Sequence, residues 1–200
     1  ADCYIAMEDD TNALKDYDKA IELAPENPYY YNNRADFYKT QEKYDEALKD
    51  YATAIEISTD DDETTRAINN RARIYGEQGK RELEIEEYTK AIAIDSASAL
   101  YYSNRAIIYQ YYEPYDYEKS LEDFTSAIDL DKDNPERYDE RADCYVAMED
   151  YTSALKDYDK AIDLAPENPR WYNNRADFYK TQEKYDEALK DYTTVIEIST

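Results

Sequence analysis

YNNRADFYKTQEKYDEALKDY occupies residues 31–51, and the same twenty-one residues return unchanged at 172–192. The copies sit inside a longer duplication, since residues 1–59 and 142–200 differ at eight of fifty-nine positions, among them Ile5/Val146, Asp10/Tyr151 and Tyr30/Trp171. Shorter echoes fill the interval. NNRADFY at 32–38 is restated as NNRARIY at 69–75 and SNRAIIY at 103–109; DYDKAIEL at 16–23 returns as DYATAIEI, EYTKAIAI, DFTSAIDL, DYDKAIDL and DYTTVIEI. The tyrosines that close the first phrase, Tyr4, Tyr38, Tyr75, Tyr109, Tyr145 and Tyr179, are spaced by 34, 37, 34, 36 and 34 residues. A period of this length with small insertions marks a solenoid or another repeat array. Its units run approximately over residues 1–27 (incomplete), 28–61, 65–98, 99–134, 135–168 and 169–200, read as one array.

Within one period the apolar residues fall on two helical faces. Tyr31, Ala35 and Tyr38 stand at i, i+4 and i+7, and after polar residues 39–43 a second face follows in Tyr44, Ala47, Leu48, Tyr51, Ala54 and Ile55. Pro28 suits a first helical turn, where its missing N–H is no loss, while Pro25 and Pro166 help to stop the preceding helices. Each unit is a helical hairpin, so the chain is predicted to be all-α, with about eleven full helices and no strand. The column Ala1, Ala35, Ala72, Ala106, Ala142, Ala176 never varies, and a second reads Ala20, Ala54, Ala91, Ala127, Ala161, Val195. Alanine at a helix crossing lets backbones approach, and the Tyr, Ile and Leu columns fill the space around it. The 25 tyrosines are accordingly read as core residues with hydroxyls at the edge, an aromatic ligand cage being the alternative.

Hairpins of 34 residues with Tyr or Trp, Ala, Tyr, Ala, Tyr/Phe, Ala and Pro in these columns resemble tetratricopeptide repeats, and NNRA followed by YDEALKDYDKAIELAPENP is similar to a common subgroup of them. The resemblance spans the whole chain. It implies a right-handed superhelical solenoid of antiparallel hairpins whose concave face is lined by the first helix of each repeat. The middle of the chain departs from the pattern. Glu84 stands where Ala13, Ala47, Ala154 and Ala188 stand, Arg81 replaces Tyr44, Ser120 falls in the alanine column, and two extra residues enter around 113–117. A buried unpaired glutamate is costly. The third hairpin is therefore expected to be splayed or locally shifted, with Glu84 reaching solvent or a basic partner such as Arg81, and residues 60–120 to be the least regular.

Two charged columns recur together. Arg34, Arg71, Arg105, Arg141 and Arg175 precede the invariant alanine, and Asp16, Asp50, Glu87, Asp123, Asp157 and Asp191 precede the aromatic of the second helix. They point to a structural ion pair, across the hairpin or to the adjoining repeat, of the two-pronged kind that a guanidinium makes with a carboxylate. Catalytic chemistry is poorly served: the chain has no His, only Gly76 and Gly79 as glycines, and no acidic pair that stands out as a dyad. No enzyme activity and no cofactor are expected. Cys3 and Cys144 share a column with Phe37, Ile74, Ile108 and Phe178, which reads as small buried hydrophobes and fits a reducing, cytoplasmic setting. Asp129, Asp131, Asp133 and Glu140 match the first, third, fifth and twelfth places of a calcium loop, but Asn134 replaces its glycine and Pro135 follows. In the repeat frame this segment is an inter-repeat turn.

The resemblance also implies where a ligand would lie. On the first-helix surface stand Asn32, Asn33, Asp36 and Lys39, then Asn69, Asn70 and Arg73, then Ser103, Asn104, Ile107 and Tyr111, then Asp139, Glu140 and Asp143, and last Asn173, Asn174, Asp177 and Lys180. The column Asn33, Asn70, Asn104, Asn174 could hold an extended peptide by its backbone, as similar asparagine ladders do in peptide-binding members, or could cap local polar groups; Glu140 interrupts it. The basic residues of a carboxylate clamp are missing, which disfavours a chaperone C-terminus. With 48 acidic against 24 basic residues and a net charge of −24, nucleic acid and anionic membranes are disfavoured too, and a neutral or basic peptide or protein is the expected partner. The predicted role is an interaction scaffold, with an architectural spacer in a longer array, or the regulatory module of an enzyme fused outside this stretch, as alternatives. The chain opens within a first helix and stops after a second, with Val195, Ile196 and Ile198 awaiting a neighbour, so self-association through uncapped ends is a further expectation.

Overall fold

The structure, a computed structural model, describes residues 9–199 and, ahead of them, residues 1, 4 and 7. Among the described residues are eleven α-helices of 13 to 17 residues and no strand. In chain order they are α1 (Asp10–Leu23), α2 (Pro28–Thr40), α3 (Tyr44–Ile57), α4 (Asp61–Glu77), α5 (Arg81–Ile94), α6 (Ala99–Tyr111), α7 (Tyr117–Leu130), α8 (Pro135–Ala147), α9 (Tyr151–Leu164), α10 (Pro169–Thr181) and α11 (Tyr185–Ile198). From α2 to α11 each helix packs on its sequence neighbour within one of five hairpins, as in an all-α solenoid of helical hairpins. The chain divides into two compact units, residues 1–96 and 97–200. None of the described helices is long and apolar enough to cross a membrane.

Local chemistry sets the helix ends. Asn27, Asn134 and Asn168 each accept the backbone N–H two residues on, with proline at the first helical position. Asp9, Asp116 and Asp150 cap second helices by accepting the backbone N–H three residues on. The turns inside the hairpins share one closure: the N–H of Lys43, Lys80, Asp150 and Lys184 reaches the carbonyl of the column tyrosine at 2.8–2.9 Å. This ending requires a left-handed residue, and Glu42 (φ 56°), Gly79 (φ 70°), Glu149 (φ 60°) and Glu183 (φ 56°) occupy it. In the fourth hairpin the two extra residues are accommodated by residues 112–116, and Asp116 N–H still finds the Tyr109 carbonyl at 2.8 Å.

The core follows the alanine columns. Ala35, Ala54, Ala72, Ala91, Ala106, Ala127, Ala142, Ala161 and Ala176 are all fully buried, while Val195, the one larger residue in these columns, is only half-buried. Tyr51, Tyr88 and Tyr158 pack beside them, and Cys144 is an unpaired, buried thiol next to Ala106 and Phe124; Cys3 lies outside the described residues. The charged columns form the expected clasp. Nε and Nη2 of Arg34, Arg105, Arg141 and Arg175 grip both oxygens of Asp50, Asp123, Asp157 and Asp191 at 2.7–2.9 Å, joining the two helices of one hairpin. The remaining nitrogen of Arg34 and Arg175 reaches Asp18 and Asp159 on the preceding hairpin, at 2.6 and 2.5 Å.

One expectation for the third repeat is corrected and another is met. The third hairpin is not splayed: Arg71 still holds Glu87 across it at 2.7 Å. Of the two outcomes expected for Glu84, the basic partner is the one found: it is buried, pairs with Arg81 at 2.7 Å, and lies where a β-carbon on Gly76 would meet its carboxylate at 2.5 Å. Where the second, fifth and sixth repeats have Lys39, Val146 and Lys180 with Ala47, Ala154 and Ala188, this one has Gly76 with Glu84, a reversal of sizes. Burial raises the Glu84 pKa despite its guanidinium partner. The calcium-like segment is a turn between α7 and α8. Asp129 and Glu140 belong to different helices, and Asp131 accepts from Arg137 at 3.1 Å and Asn134 at 3.2 Å.

The left-handed glutamates are exposed and make no use of their Cβ. Replacing Glu42, Glu149 or Glu183 by Gly is expected to raise stability by roughly 1 kcal/mol per site, and Gly79→Glu to lower it by a similar amount. Thermal melts of the four variants check this.

Candidate functional site

The first helices of the hairpins carry the residues placed in a groove from sequence. In the unit of residues 1–96, Asn32 is fully buried. Its Nδ2 donates to the Glu63 carbonyl at 3.0 Å and to Glu63 Oε2 at 2.6 Å, so it fastens α2 to the first turn of α4. Contrary to expectation, it does not stand on an accessible surface. Asn33 accepts from Arg66 at 2.9 Å, and the same guanidinium pairs with Asp36 at 2.6 Å. Asp36 also accepts from Asn70 Nδ2 at 2.9 Å and from the Tyr51 hydroxyl. Burial, then this carboxylate, raises the Tyr51 phenol far above its usual pKa. Lys39 is half-buried and its ammonium pKa is lowered, by burial first and then by the exposed Arg73. Asn69 is half-buried with an Oδ1 that has no partner.

In the unit of residues 97–200, Asn174 Nδ2 donates to both oxygens of Asp139, at 2.9 and 2.7 Å. Asn104 and Asn173 are half-buried. Asp177 accepts from the Tyr192 hydroxyl at 2.6 Å and from the exposed Lys180 at 3.3 Å. Asp143 Oδ1 accepts from the Tyr158 hydroxyl at 2.5 Å, and its Oδ2 has the hydroxyl of exposed Tyr111 at 3.4 Å. Asn70 and Asn174 thus already tie one repeat to the carboxylate of the repeat before it, so their donor groups serve the scaffold first.

One rule joins these contacts. Asp36, Asp143 and Asp177 each accept the hydroxyl of the tyrosine fifteen residues later; where Phe124 lacks a hydroxyl the partner column holds Ile107, and the third repeat departs from the rule with Arg73 and Tyr88. The paired exchange, Asp–Tyr for Ile–Phe, was visible in the sequence and shows that these aspartates satisfy buried phenols as well as facing outward.

The fifth repeat differs from the rest. Where others carry two neutral residues, α8 has Asp139 and Glu140, followed by Asp143. Burial pushes Asp139 up to about 6 and Glu140 up to about 7, and Asp143 above its ordinary value. Arg137 and Arg170 pull Glu140 down, and Asn174 pulls Asp139 down, less than burial raises them. Two adjoining cavities open beside this helix. One, of about 420 Å³, is bounded by Gln110 and Tyr111 of α6, Tyr115, Tyr117 of α7, and Asp143 and Val146 of α8. The other, of about 270 Å³, shares Asp143 and Val146 and adds Tyr158, Asn174, Asp177 and Phe178. Tyr115 and Tyr117 stack at 5.8 Å with ring planes 7° apart. Gln110 was not singled out from sequence, nor were Tyr115 and Tyr117, although four tyrosines within residues 111–117 gave a signal. Among the described residues no group of three His, Cys, Asp or Glu side chains is placed to hold a metal ion.

A family profile described as "Tetratricopeptide repeat" matches residues 28–97, one described as "TPR repeat" matches 142–183, and a further "Tetratricopeptide repeat" profile matches 1–27 and 169–200. No curated protein matches. Similar solved structures include a tetratricopeptide repeat protein from Parabacteroides merdae, at 20% identity and TM-score 0.76, covering 97% of this chain and 75% of that one. YrrB, described with its structure as a TPR protein with an unusual peptide-binding site, aligns at 18% identity and TM-score 0.69 over 91% of each chain. Pseudomonas aeruginosa pilF aligns at 19% identity and TM-score 0.72, over 94% of this chain and 83% of its own. At these identities the likeness is one of fold.

The acids of α8 set a pH dependence. Asp139 and Glu140 titrate near pH 4 in an unfolded chain and near 6 and 7 in the folded one. Between those limits the folded state binds more protons, so their contribution to stability is greatest at low pH and falls as pH rises through 7. The lowered carboxyls of Glu86, Asp116, Asp150 and Asp177 act oppositely, but below that window. The melting temperature is expected to be ~5 °C higher at pH 5.5 than at pH 8, and Asp139→Asn with Glu140→Gln to remove most of the difference. Calorimetry across pH checks it.

Proposed function

Because the chain belongs to the tetratricopeptide repeat family, we propose that it is a non-enzymatic scaffold that holds an extended segment of another protein along its first-helix face. The observation that carries this reading is the pair of cavities beside α8, which share Asp143 and Val146 and so offer adjoining places for successive side chains of one segment. Extended peptides need backbone partners as well. The carbonyl oxygens of Asn70 and Asn174 can accept peptide N–H groups while their amide nitrogens hold the scaffold, and Asn33, Asn104 and Asn173 stand in or beside the same column. The partner is neutral or basic, because a net charge of −24 repels phosphate and acidic segments and speeds capture of cations. Its setting is cytoplasmic, in keeping with the unpaired buried thiol of Cys144.

The test is fluorescence anisotropy with labelled peptides of graded net charge, at concentrations where sedimentation shows a monomer. That control matters because Leu189 and Ile196 on α11 are 63% and 65% exposed and favour self-association. Neutral and basic peptides are expected to bind saturably. Val146→Arg, which puts a long charged side chain at a residue that lines both cavities, is expected to abolish binding while circular dichroism still shows the helical fold. A preference for acidic peptides, or full binding by that variant, contradicts the reading.

A further inference from the structure

We propose that the larger cavity, bounded by Gln110, Tyr111, Tyr115, Tyr117, Asp143 and Val146, is a pocket for one cationic side chain, lysine or arginine, of the bound segment. The proposal rests on the scaffold reading and supplies the partner chemistry at one of its places.

Its polar groups ask for a donor that carries positive charge. Gln110 lines the cavity and is 4% exposed, and its buried Oε1 has no hydrogen-bond partner. A buried amide oxygen left so is costly, and an incoming N–H relieves the cost. Asp143 presents a second acceptor. Its Oδ1 takes the Tyr158 hydroxyl at 2.5 Å, whereas Oδ2 has only the 3.4 Å approach of Tyr111. Burial disfavours the charge on this carboxylate, and a cation placed beside it would restore that charge. The walls are phenol rings, whose faces attract cations. Tyr115 and Tyr117 stack on one another, and Tyr111 and Tyr115 are 54% and 51% exposed, more than a core role explains. No Lys or Arg lines the cavity, while Asp139 and Glu140 lie on the same helix as Asp143 and strengthen the negative field at Tyr111.

Other occupants fit less well. An apolar side chain leaves Gln110 Oε1 and Asp143 Oδ2 dry and unpaired. An acidic one meets like charge. A metal ion would find one carboxylate and one amide among phenols, too few donors for a hard cation. A quaternary ammonium suits the rings but brings no N–H for Gln110. A lysine ammonium or an arginine guanidinium answers all three demands, and a cavity of about 420 Å³ holds either.

The experiment uses the full chain and small probes, so it does not depend on knowing the partner. Nα-acetyl-lysine amide, Nα-acetyl-arginine amide, their trimethyl-lysine counterpart and the uncharged norleucine isostere are titrated while NMR follows the Gln110 side-chain amide and the ring signals of Tyr111, Tyr115 and Tyr117. The lysine or arginine probe is expected to shift these signals saturably, the tighter of the two naming the side chain, with norleucine and trimethyl-lysine at least ~10-fold weaker. Asp143→Asn and Tyr115→Leu are each expected to weaken the basic probe ~10-fold, and Tyr115, half-exposed, to do so with an unchanged melting temperature. Norleucine binding as well as lysine overturns the proposal, as do unsaturable shifts spread over the acidic surface. Equal binding of trimethyl-lysine overturns the part given to Gln110. A chain that binds peptides at Val146 but ignores probe charge loses this pocket and keeps the scaffold; one that binds lysine but no peptide does the reverse.

Discussion

Two helices can be held in close register only if the residue at their crossing is small, and in this chain that residue is alanine. Ala35, Ala72, Ala106, Ala142 and Ala176 are completely buried, as are Ala54, Ala91, Ala127 and Ala161 on the facing helices. With backbones this near, the aromatic residues on either side have one way to pack, and the arginine next to each first-helix alanine reaches the acid on the partner helix. The clasp follows from the crossing. A bidentate guanidinium–carboxylate pair tolerates little change in helix separation.

The same close packing explains how polar groups are used on the first helices. Tyrosines large enough to fill a hairpin bring hydroxyls with them, and aspartates on the facing helix take those protons; Asp36 with Tyr51 and Asp143 with Tyr158 are two instances. An acidic surface is partly the price of a tyrosine core. What is left over is local. Beside α8, where acids replace asparagines and an insertion adds tyrosines, acceptors and rings remain without a partner of opposite character, and the proposed recognition lies there.

Much of this was legible in the sequence because repetition exposes what each position must do. The 34-residue period, the alanine columns and the paired Arg and Asp columns each recur often enough to be read without coordinates. What escaped were features that occur once. Asn32 and Asn33 are neighbours with the same side chain, yet one is fully buried and the other half-exposed, because α4 starts a turn earlier than its counterparts and brings Glu63 to Asn32. Glu84 looked like a packing fault until Gly76, on the opposite helix, proved to leave it room. Tyr115 and Tyr117 fall in the stretch that holds the two extra residues, where alignment to other repeats says nothing about direction, and Gln110 stands in a column of Lys39, Gly76, Val146 and Lys180 that has no common character.

The duplicated block holds a comparison that tests the alanine constraint directly, since Ala54 in the first copy is Val195 in the second. Ala54 is fully buried and Val195 only half-buried, so the two positions should respond differently to the same two methyl groups. Chemical denaturation of Ala54→Val and Val195→Ala measures this. If close crossings at alanine hold the hairpins, Ala54→Val loses about 1–3 kcal/mol and Val195→Ala changes stability by less than about 1 kcal/mol. Equal tolerance of valine at both positions would contradict the account.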